Sequence, residues 1–439
     1  VKMMNNAHEA YDLAQMQSLP LEAKIRMTKH RIKAWYESWT RFEIIDEVTG
    51  KTRFVTIDTR DYSAEPPIKE TEYIVSALPG QVYVSFSGGK DSTVLKHIVD
   101  SMYDDVPSLF VNTGLEYPEI QKFAMSQKNV VVVRPEMRFD EVIKKYGYPL
   151  ISKEVSSTIS GAKNSIKKGV YSHRLCKLGI QRDEYGGLVD TGEYDYERTL
   201  EKSMYRQDKW RFLLDASFDI SSYCCDVMKK KPSKAYEKET GRKAIIGTMA
   251  WESQNRRTAW LRHGCNAFES NRPTSQPLSF WTEQDILHYI KKYMQKGLDD
   301  AWATVKNKKI YGRKRRKARK HLKLWAYQKL SYCSVYGDIV LDFNDDTPDE
   351  QINIIDYLGE YEPEDRLKTT GCDRTGCIFC MFGCHLENEP NRFQRLKETH
   401  PRQYEYCIGG GEMVDGKWQP SKQGLGLGKV LDYIGVKYD

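Results

Sequence analysis

No apolar run in this 439-residue chain approaches the length of a bilayer crossing, and the opening stretch VKMMNNAHEAYD has no apolar core of the kind a secretion signal carries. The expected setting is the cytoplasm, with no membrane contact. Cysteine is too scarce for a disulfide scaffold: of ten in the chain, six fall into two tight clusters, the pattern of a metal site in a reducing compartment. Also absent from the glycine-bearing stretch at 87–92 are the spacings GxxxxGK[ST] and GxGxxG, which sets aside two familiar nucleotide loops. The net charge of +7 is modest and permits an anionic partner without demanding one. Apolar content is ample: 40%, with 12% aromatic residues, is enough for the cores of two or three domains.

The most informative stretch is Val82 to Asp100, VYVSFSGGKDSTVLKHIVD. Val82, Val84 and Phe86 favour a strand, and Ser87, Gly88 and Gly89 let the chain turn sharply and bring backbone N–H groups close to a ligand. Val94, Leu95, Ile98 and Val99 recur at helical spacing, so a helix starts near Asp91 with its electropositive end facing the loop. A strand, a glycine turn and a helix N-terminus make a cradle for phosphate. SGGKDS resembles the pyrophosphate loop of ATP pyrophosphatases, which split ATP between its α and β phosphates. The resemblance implies that Ser87, Gly88, Gly89 and Ser92 hold phosphate oxygens while Lys90 supplies a point charge. Asp91 caps the helix or helps to place Mg²⁺.

Around this stretch the chain reads as four segments: a helical arm plus hairpin at 1–75, a nucleotide-binding domain at 76–290, a basic insertion at 291–330 and a cysteine-rich region at 331–439. Helix is expected to about residue 45, then a hairpin turning at Thr49-Gly50 and a Pro66-Pro67 linker. Strands at 82–86, 108–112 and 129–134 alternate with helices at 91–103, 117–127 and 139–146, which argues for a parallel sheet covered on both faces. Ligands of such sheets sit beyond the carboxyl ends of the strands, where Asn112, Thr113 and Gly114 follow the second strand as candidate lining of an adenosine pocket. The lysine-rich stretch 151–223 reads as a solvated insertion, and Thr282 as the cap of a scaffold helix. KNKKIYGRKRRKARKHLK at 306–323 has no acidic residue; it is either an exposed charged helix or a grip on a nucleic-acid backbone.

Taken in order, SFSGGKDS, NTGLEYPE, YCCDVMKKKP, GTMAWESQNRR and RTGCIFC resemble the phosphoadenosine phosphosulfate (PAPS) reductase family, over roughly residues 76–290 and 330–390. The resemblance implies an α/β fold, a parallel-sheet adenine nucleotide α-hydrolase-like (PP-loop) domain. By position it places Gly247, Glu252, Ser253 and Arg256 at a strand end and loop that close over the nucleotide, with Arg256 and Arg257 suited to bidentate grip on phosphate or sulfate.

Cys372-x4-Cys377-x2-Cys380-x3-Cys384 lies about 150 residues after the adjacent pair Cys224-Cys225. Thiolates at these spacings suit zinc or an iron–sulfur cluster. In the resembled family an adjacent pair and a later C-x2-C together hold a [4Fe–4S] cluster, which implies Cys224, Cys225, Cys377 and Cys380 as ligands; zinc is the alternative, and Cys372 and Cys384 the alternative local thiols. His385 reads as a structural histidine. Reductases of the family attack the sulfur of APS or PAPS from a C-terminal ECG(I/L)H-like tail, whereas this sequence has only Cys407, in YCIGGG, near its KYD end. An intact SGGKDS makes sense if ATP itself is the substrate. The first expectation is therefore cleavage of ATP to AMP and pyrophosphate, adenylating an acceptor for sulfur transfer, with nucleic acid among the candidate acceptors. An APS or PAPS reductase and a non-catalytic nucleotide- and cluster-sensing regulator are the alternatives, and the sulfur donor is unspecified.

Overall fold

A computed structural model describes residues 8–60, 64–182, 188–189, 206–295, 335–337, 339–341, 366–372 and 375–439. The basic run 306–323 lies outside them. The chain divides into two compact units, one formed by Val1–Asn112, Tyr117–Val133 and Ser233–Thr375, the other by Thr113–Glu116, Arg134–Pro232 and Gly376–Asp439. No described helix is long and apolar enough to cross a membrane.

The first unit is built on a six-stranded sheet. Its centre is β4 (Val82–Phe86), flanked on one side by β5 (Ser108–Val111) and β6 (Val130–Val133) and on the other by β10 (Lys243–Ile246), β12 (Thr274–Ser275) and β11 (Asn266–Ala267). All neighbours pair in parallel except β11, which runs antiparallel to β12. These strands are short and rich in β-branched and aromatic residues, and parallel neighbours need a crossover, supplied by α3 (Lys90–Asp100) and α4 (Pro118–Ser126). This is the alternation that periodicity predicts, with each element within a few residues of its expected bounds. α3 presses Val94, Leu95, Ile98 and Val99 onto Val82 and Val84, in one core with Phe280, Trp281 and Ile286.

The same core takes in Leu13 from α1 (Ala10–Gln17) and Leu21, Ile32 and Trp35 from α2 (Leu21–Glu37). The helix expected to reach residue 45 stops at Glu37. From Trp39 a run with Phe42, Ile44 and Ile45 takes the extended form, because it pairs on both sides in a three-stranded antiparallel sheet. There β1 (Trp39–Asp46) lies between β2 (Thr52–Asp58) and β3 (Glu72–Leu78). The Thr49-Gly50 turn joins β1 to β2; β3 follows the Pro66-Pro67 stretch as a strand absent from the sequence reading. α8 (Lys231–Thr240) precedes β10, and α9 (Gln254–His263) and α10 (Glu283–Tyr289) follow it. Thr282 caps α10, accepting from the Asp285 N–H while the Asp285 carboxylate accepts from the Thr282 N–H and hydroxyl. Lys24 of α2 is bound to the same carboxylate at 2.7 Å, a buried ion pair. β13 (Ile339–Leu341) and β14 (Leu367–Thr369) form an antiparallel pair, which Gly371 and Cys372 extend by donating to the carbonyls of Tyr336 and Val335.

In the second unit α5 (Phe139–Tyr146) leads to β7 (Leu150–Ile151), which pairs in parallel with β15 (Met381–Phe382). α6 (Lys153–Lys167) and α7 (His173–Lys177) follow, then the antiparallel pair β8 (Gln181–Arg182) and β9 (Leu188–Val189). α11 (Arg392–Thr399), α12 (Pro401–Ile408), the hairpin β16 (Glu412–Val414) and β17 (Lys417–Gln419), and α13 (Leu427–Tyr433) complete it. Far from being wholly solvated, α6 buries Val155, Ile159 and Ala162, and Lys163 on it donates to the carbonyls of Ala216 and Phe218. The lysines that mark this stretch as charged hide the three- and four-residue recurrence of its apolar positions.

Candidate active site and cysteine centre

The SGGKDS loop runs from the carboxyl end of β4 into α3, with Gly89 as N-cap and Lys90 as the first helical residue. Gly88 has φ of +75°, a left-handed conformation that a side chain resists, and a Cβ there would meet Ile120 at 2.9 Å. Hydrogen bonds inside the loop fix its shape. The Ser87 N–H donates to the Ser92 hydroxyl (3.2 Å), the Ser87 and Ser92 hydroxyls are 3.0 Å apart, and the Gly89 N–H donates to the Ser87 hydroxyl. The Gly89 carbonyl accepts from the hydroxyls of Ser92 and Thr93. Lys90 is 2% exposed, and its ammonium is 2.9 Å from the Glu283 carboxylate at the start of α10. Asp91 sits in the first turn of α3.

Gly247 follows the end of β10, next to β4 in the sheet, and a Cβ there would lie 3.2 Å from the Asp91 carbonyl; the two strand ends thus meet at the loop. Asn112 follows β5, on the other side of β4. It is buried and its side-chain oxygen accepts from Gln121 at 2.9 Å. Thr113 and Gly114 belong to a tight turn of the second unit. The Thr113 N–H and hydroxyl both donate to Glu116, and Gly114 has φ of +72°. Glu252 and Ser253 lead into α9, where Ser253 is the cap and Arg256 is ion-paired with Glu252. The loop residues and Gly247 are therefore gathered at one place, whereas Arg256 is engaged with its own helix start. Glu283, Tyr336 and Thr375, which also touch the loop, carry no motif; Glu283 sits inside the helix-capping pattern at 282–285 and reads there as scaffold.

A parallel sheet, a left-handed glycine at the carboxyl end of its central strand and a buried lysine on the helix that follows are consistent with a PP-loop domain of the adenine nucleotide α-hydrolase-like class. Within that class, residues 81–177 match the family model of the phosphoadenosine phosphosulfate reductase domain. An uncharacterized protein of Methanocaldococcus jannaschii is 36% identical to this chain over 115 residues, which is 25% of this chain and 27% of the relative. The chain thus matches about a quarter of that relative's length.

The second unit holds Cys224, Cys225, Cys377 and Cys380. The Cys224 and Cys225 sulfurs are 3.9 Å apart. Their hydrogen bond splits the pair: it raises the Cys224 thiol far above the ordinary value, helped by burial and by Cys380 and Cys377, and it lowers Cys225, helped by the Lys153 and Lys229 ammonium groups. Burial pushes Cys377 up to about 11, against the pull of Lys229, and raises Cys380 as well. Lys229 is itself raised, to about 12, chiefly by the charge of Cys377, with which it also hydrogen-bonds. Among the described residues no three His, Cys, Asp or Glu side chains form a ready site for a single metal ion. The gathering is of another kind: four thiols close enough to influence one another's ionisation, with cations beside them. A thiolate-bound metal group held there would offset the burial that raises Cys377 and Cys380. Cys384 donates to the Met381 carbonyl at 3.1 Å; Cys372 lies in the first unit, 4.0 Å from the Tyr117 hydroxyl. His385 packs edge-on against Trp210.

Proposed function

We propose that this protein binds ATP at Ser87–Ser92 with Mg²⁺ and cleaves it to AMP and pyrophosphate, adenylating an acceptor oxygen for replacement by sulfur. The observation that carries this reading is the intact loop, with Gly88 in a conformation that opens the backbone to a ligand and Lys90 buried at the helix N-terminus. The acceptor oxygen attacks the α-phosphorus, the bond to the α–β bridging oxygen breaks, and pyrophosphate leaves with the electron pair. Charge grows on the leaving group, where the N-terminal end of α3 and the Lys90 ammonium stabilise it. Asp91, at the start of the same helix, would orient Mg²⁺, which would neutralise phosphate charge when bound. Asn112 and Gly247 would border the nucleotide, and Arg256 would reach its phosphates on leaving Glu252. A sulfur nucleophile then displaces AMP from the activated carbon. Cys224, Cys225, Cys377 and Cys380 would hold a [4Fe–4S] cluster, or zinc in its place; a bound cluster would supply a station for sulfur. The basic run 306–323 would give a nucleic-acid acceptor its electrostatic grip.

Reduction of APS or PAPS to sulfite is the second reading, favoured by the family match at 81–177. Cys407 is a poor nucleophile for it, being fully buried with its thiol pushed well above the ordinary value. The test is binding and turnover of ATP against APS and PAPS on anaerobically purified protein, with Lys90→Ala as control. AMP plus pyrophosphate from ATP, lost in Lys90→Ala, supports adenylation. Sulfite released from APS or PAPS with a thiol reductant, and no ATP cleavage, replaces it with the reductase reading.

A further inference from the structure

The Lys90 N–H, one of the donors that the start of α3 offers to an anion, is already engaged: it donates to the Tyr336 hydroxyl at 3.1 Å. That hydroxyl is 2.6 Å from the Thr375 hydroxyl, and Tyr336 is buried. The same two oxygens crowd the neighbouring residue. A Cβ on Gly89 would come within 3.0 Å of the Thr375 oxygen and 3.2 Å of the Tyr336 oxygen. The Lys90 ammonium lies 5.7 Å from the centre of the Tyr336 ring while its charge is met by Glu283. Tyr336 is itself held by backbone pairing, its carbonyl accepting from the Gly371 N–H and that of Val335 from the Cys372 N–H.

The geometry points to a built-in competitor for phosphate: the Tyr336 hydroxyl, steadied by Thr375, occupies the Lys90 N–H, so that anion binding at the loop requires this pair of hydroxyls to withdraw. This inference rests on the ATP reading of the same loop. Nucleotide affinity is then the intrinsic affinity of the open loop reduced by the fraction of molecules that are open. Any event that loosens the backbone bonds from Gly371 and Cys372 to Tyr336 and Val335 raises that affinity without touching a loop residue. A phenol suits the task because it is neutral. It satisfies a buried N–H in the absence of ligand, and it yields to an anion, for which the helix N-terminus has the stronger preference.

The test uses the full chain, purified anaerobically, with inorganic pyrophosphate and Mg²⁺ as the probe. Tyr336→Phe keeps the ring and removes the oxygen; Thr375→Val removes the steadying hydroxyl at similar volume. Tyr336→Phe is expected to bind pyrophosphate about five-fold more tightly than wild type by titration calorimetry, a change of about 1 kcal/mol. Amides of the 87–92 loop should exchange hydrogen faster in the ligand-free variant, and Thr375→Val should move both readouts the same way by less. In wild type, pyrophosphate should speed exchange at 335–337 and 339–341. Unchanged loop exchange in both variants overturns the inference, and so does pyrophosphate binding that is unchanged or weaker in Tyr336→Phe. Faster loop exchange in the variant, with no pyrophosphate or ATP bound by either protein, keeps the hydroxyl contact and removes the ATP reading instead.

Discussion

The phosphate loop and the cysteine centre are assembled in opposite ways. Six consecutive residues make the loop, and the fold adds little to their shape, since Ser87, Gly89 and Ser92 bond to one another. The cysteine centre takes two residues from 224–225 and two from 377–380, about 150 positions apart, and becomes a group only when the second unit folds. A local site of this kind takes its backbone shape from its own residues and is broken at its own glycine, even though Glu283 and Tyr336 reach it from elsewhere in the chain; a dispersed one depends on everything that brings its two halves together.

That contrast is sharpest at the cysteines. On the proposed ligation by the four thiols, Cys377→Ser should abolish bound iron or zinc, measured by metal analysis and visible absorption, while pyrophosphate affinity stays within about two-fold of wild type, since no loop residue changes. If nucleotide binding collapsed as well, the two sites would not be separable. Next in size, Gly88→Val should weaken pyrophosphate binding about 10- to 100-fold, or about 1.4–2.8 kcal/mol, because the left-handed turn and the contact with Ile120 both resist a branched side chain. Its metal content should be that of wild type. Lys24→Met leaves the Asp285 carboxylate without its buried cation and should cost about 3 kcal/mol of stability in chemical denaturation of the first unit. The smallest effect belongs to Glu72, whose carboxyl is held down to about 2 by hydrogen bonds from Arg53 and from the Lys69 N–H. A depressed carboxylate stabilises the fold above its unfolded value and loses that contribution as pH falls through the folded one. Glu72→Gln should therefore lower Tm slightly at pH 7, by a margin that shrinks between about pH 4.5 and 2, with both sites unaffected.

The same contrast explains what the sequence disclosed. The strands and helices from 82 to 146 are legible because each carries its own apolar period, and the loop because its chemistry is written in adjacent letters. β1 and β3 are less so. Trp39 continues a plausible helical spacing, and only pairing with residues 52–58 and 72–78 settles it as strand. Among site residues, Ser87 to Ser92 and Gly247 fall together as their motifs imply. Glu283 could be found only as a helix start, and Tyr336 has no local signal, since its role depends on the reach of a hydroxyl to the Lys90 N–H, 246 positions away. Lys229 is similarly hidden in a run of three lysines.

The capping box of α10 has a consequence for how far the nucleotide-binding part can be trimmed. Asp285 closes the helix start that presents Glu283 to Lys90, and it is clamped in turn by Lys24 from α2. A fragment begun at residue 76, where the nucleotide motifs start, would keep every letter of SGGKDS. It would lose the cation that holds Asp285, together with the hydrophobic cover of Leu21, Ile32 and Trp35. The smallest inheritable piece of this machine is thus longer than its motif, and transplanting the loop into another protein means transplanting its N-terminal helices too.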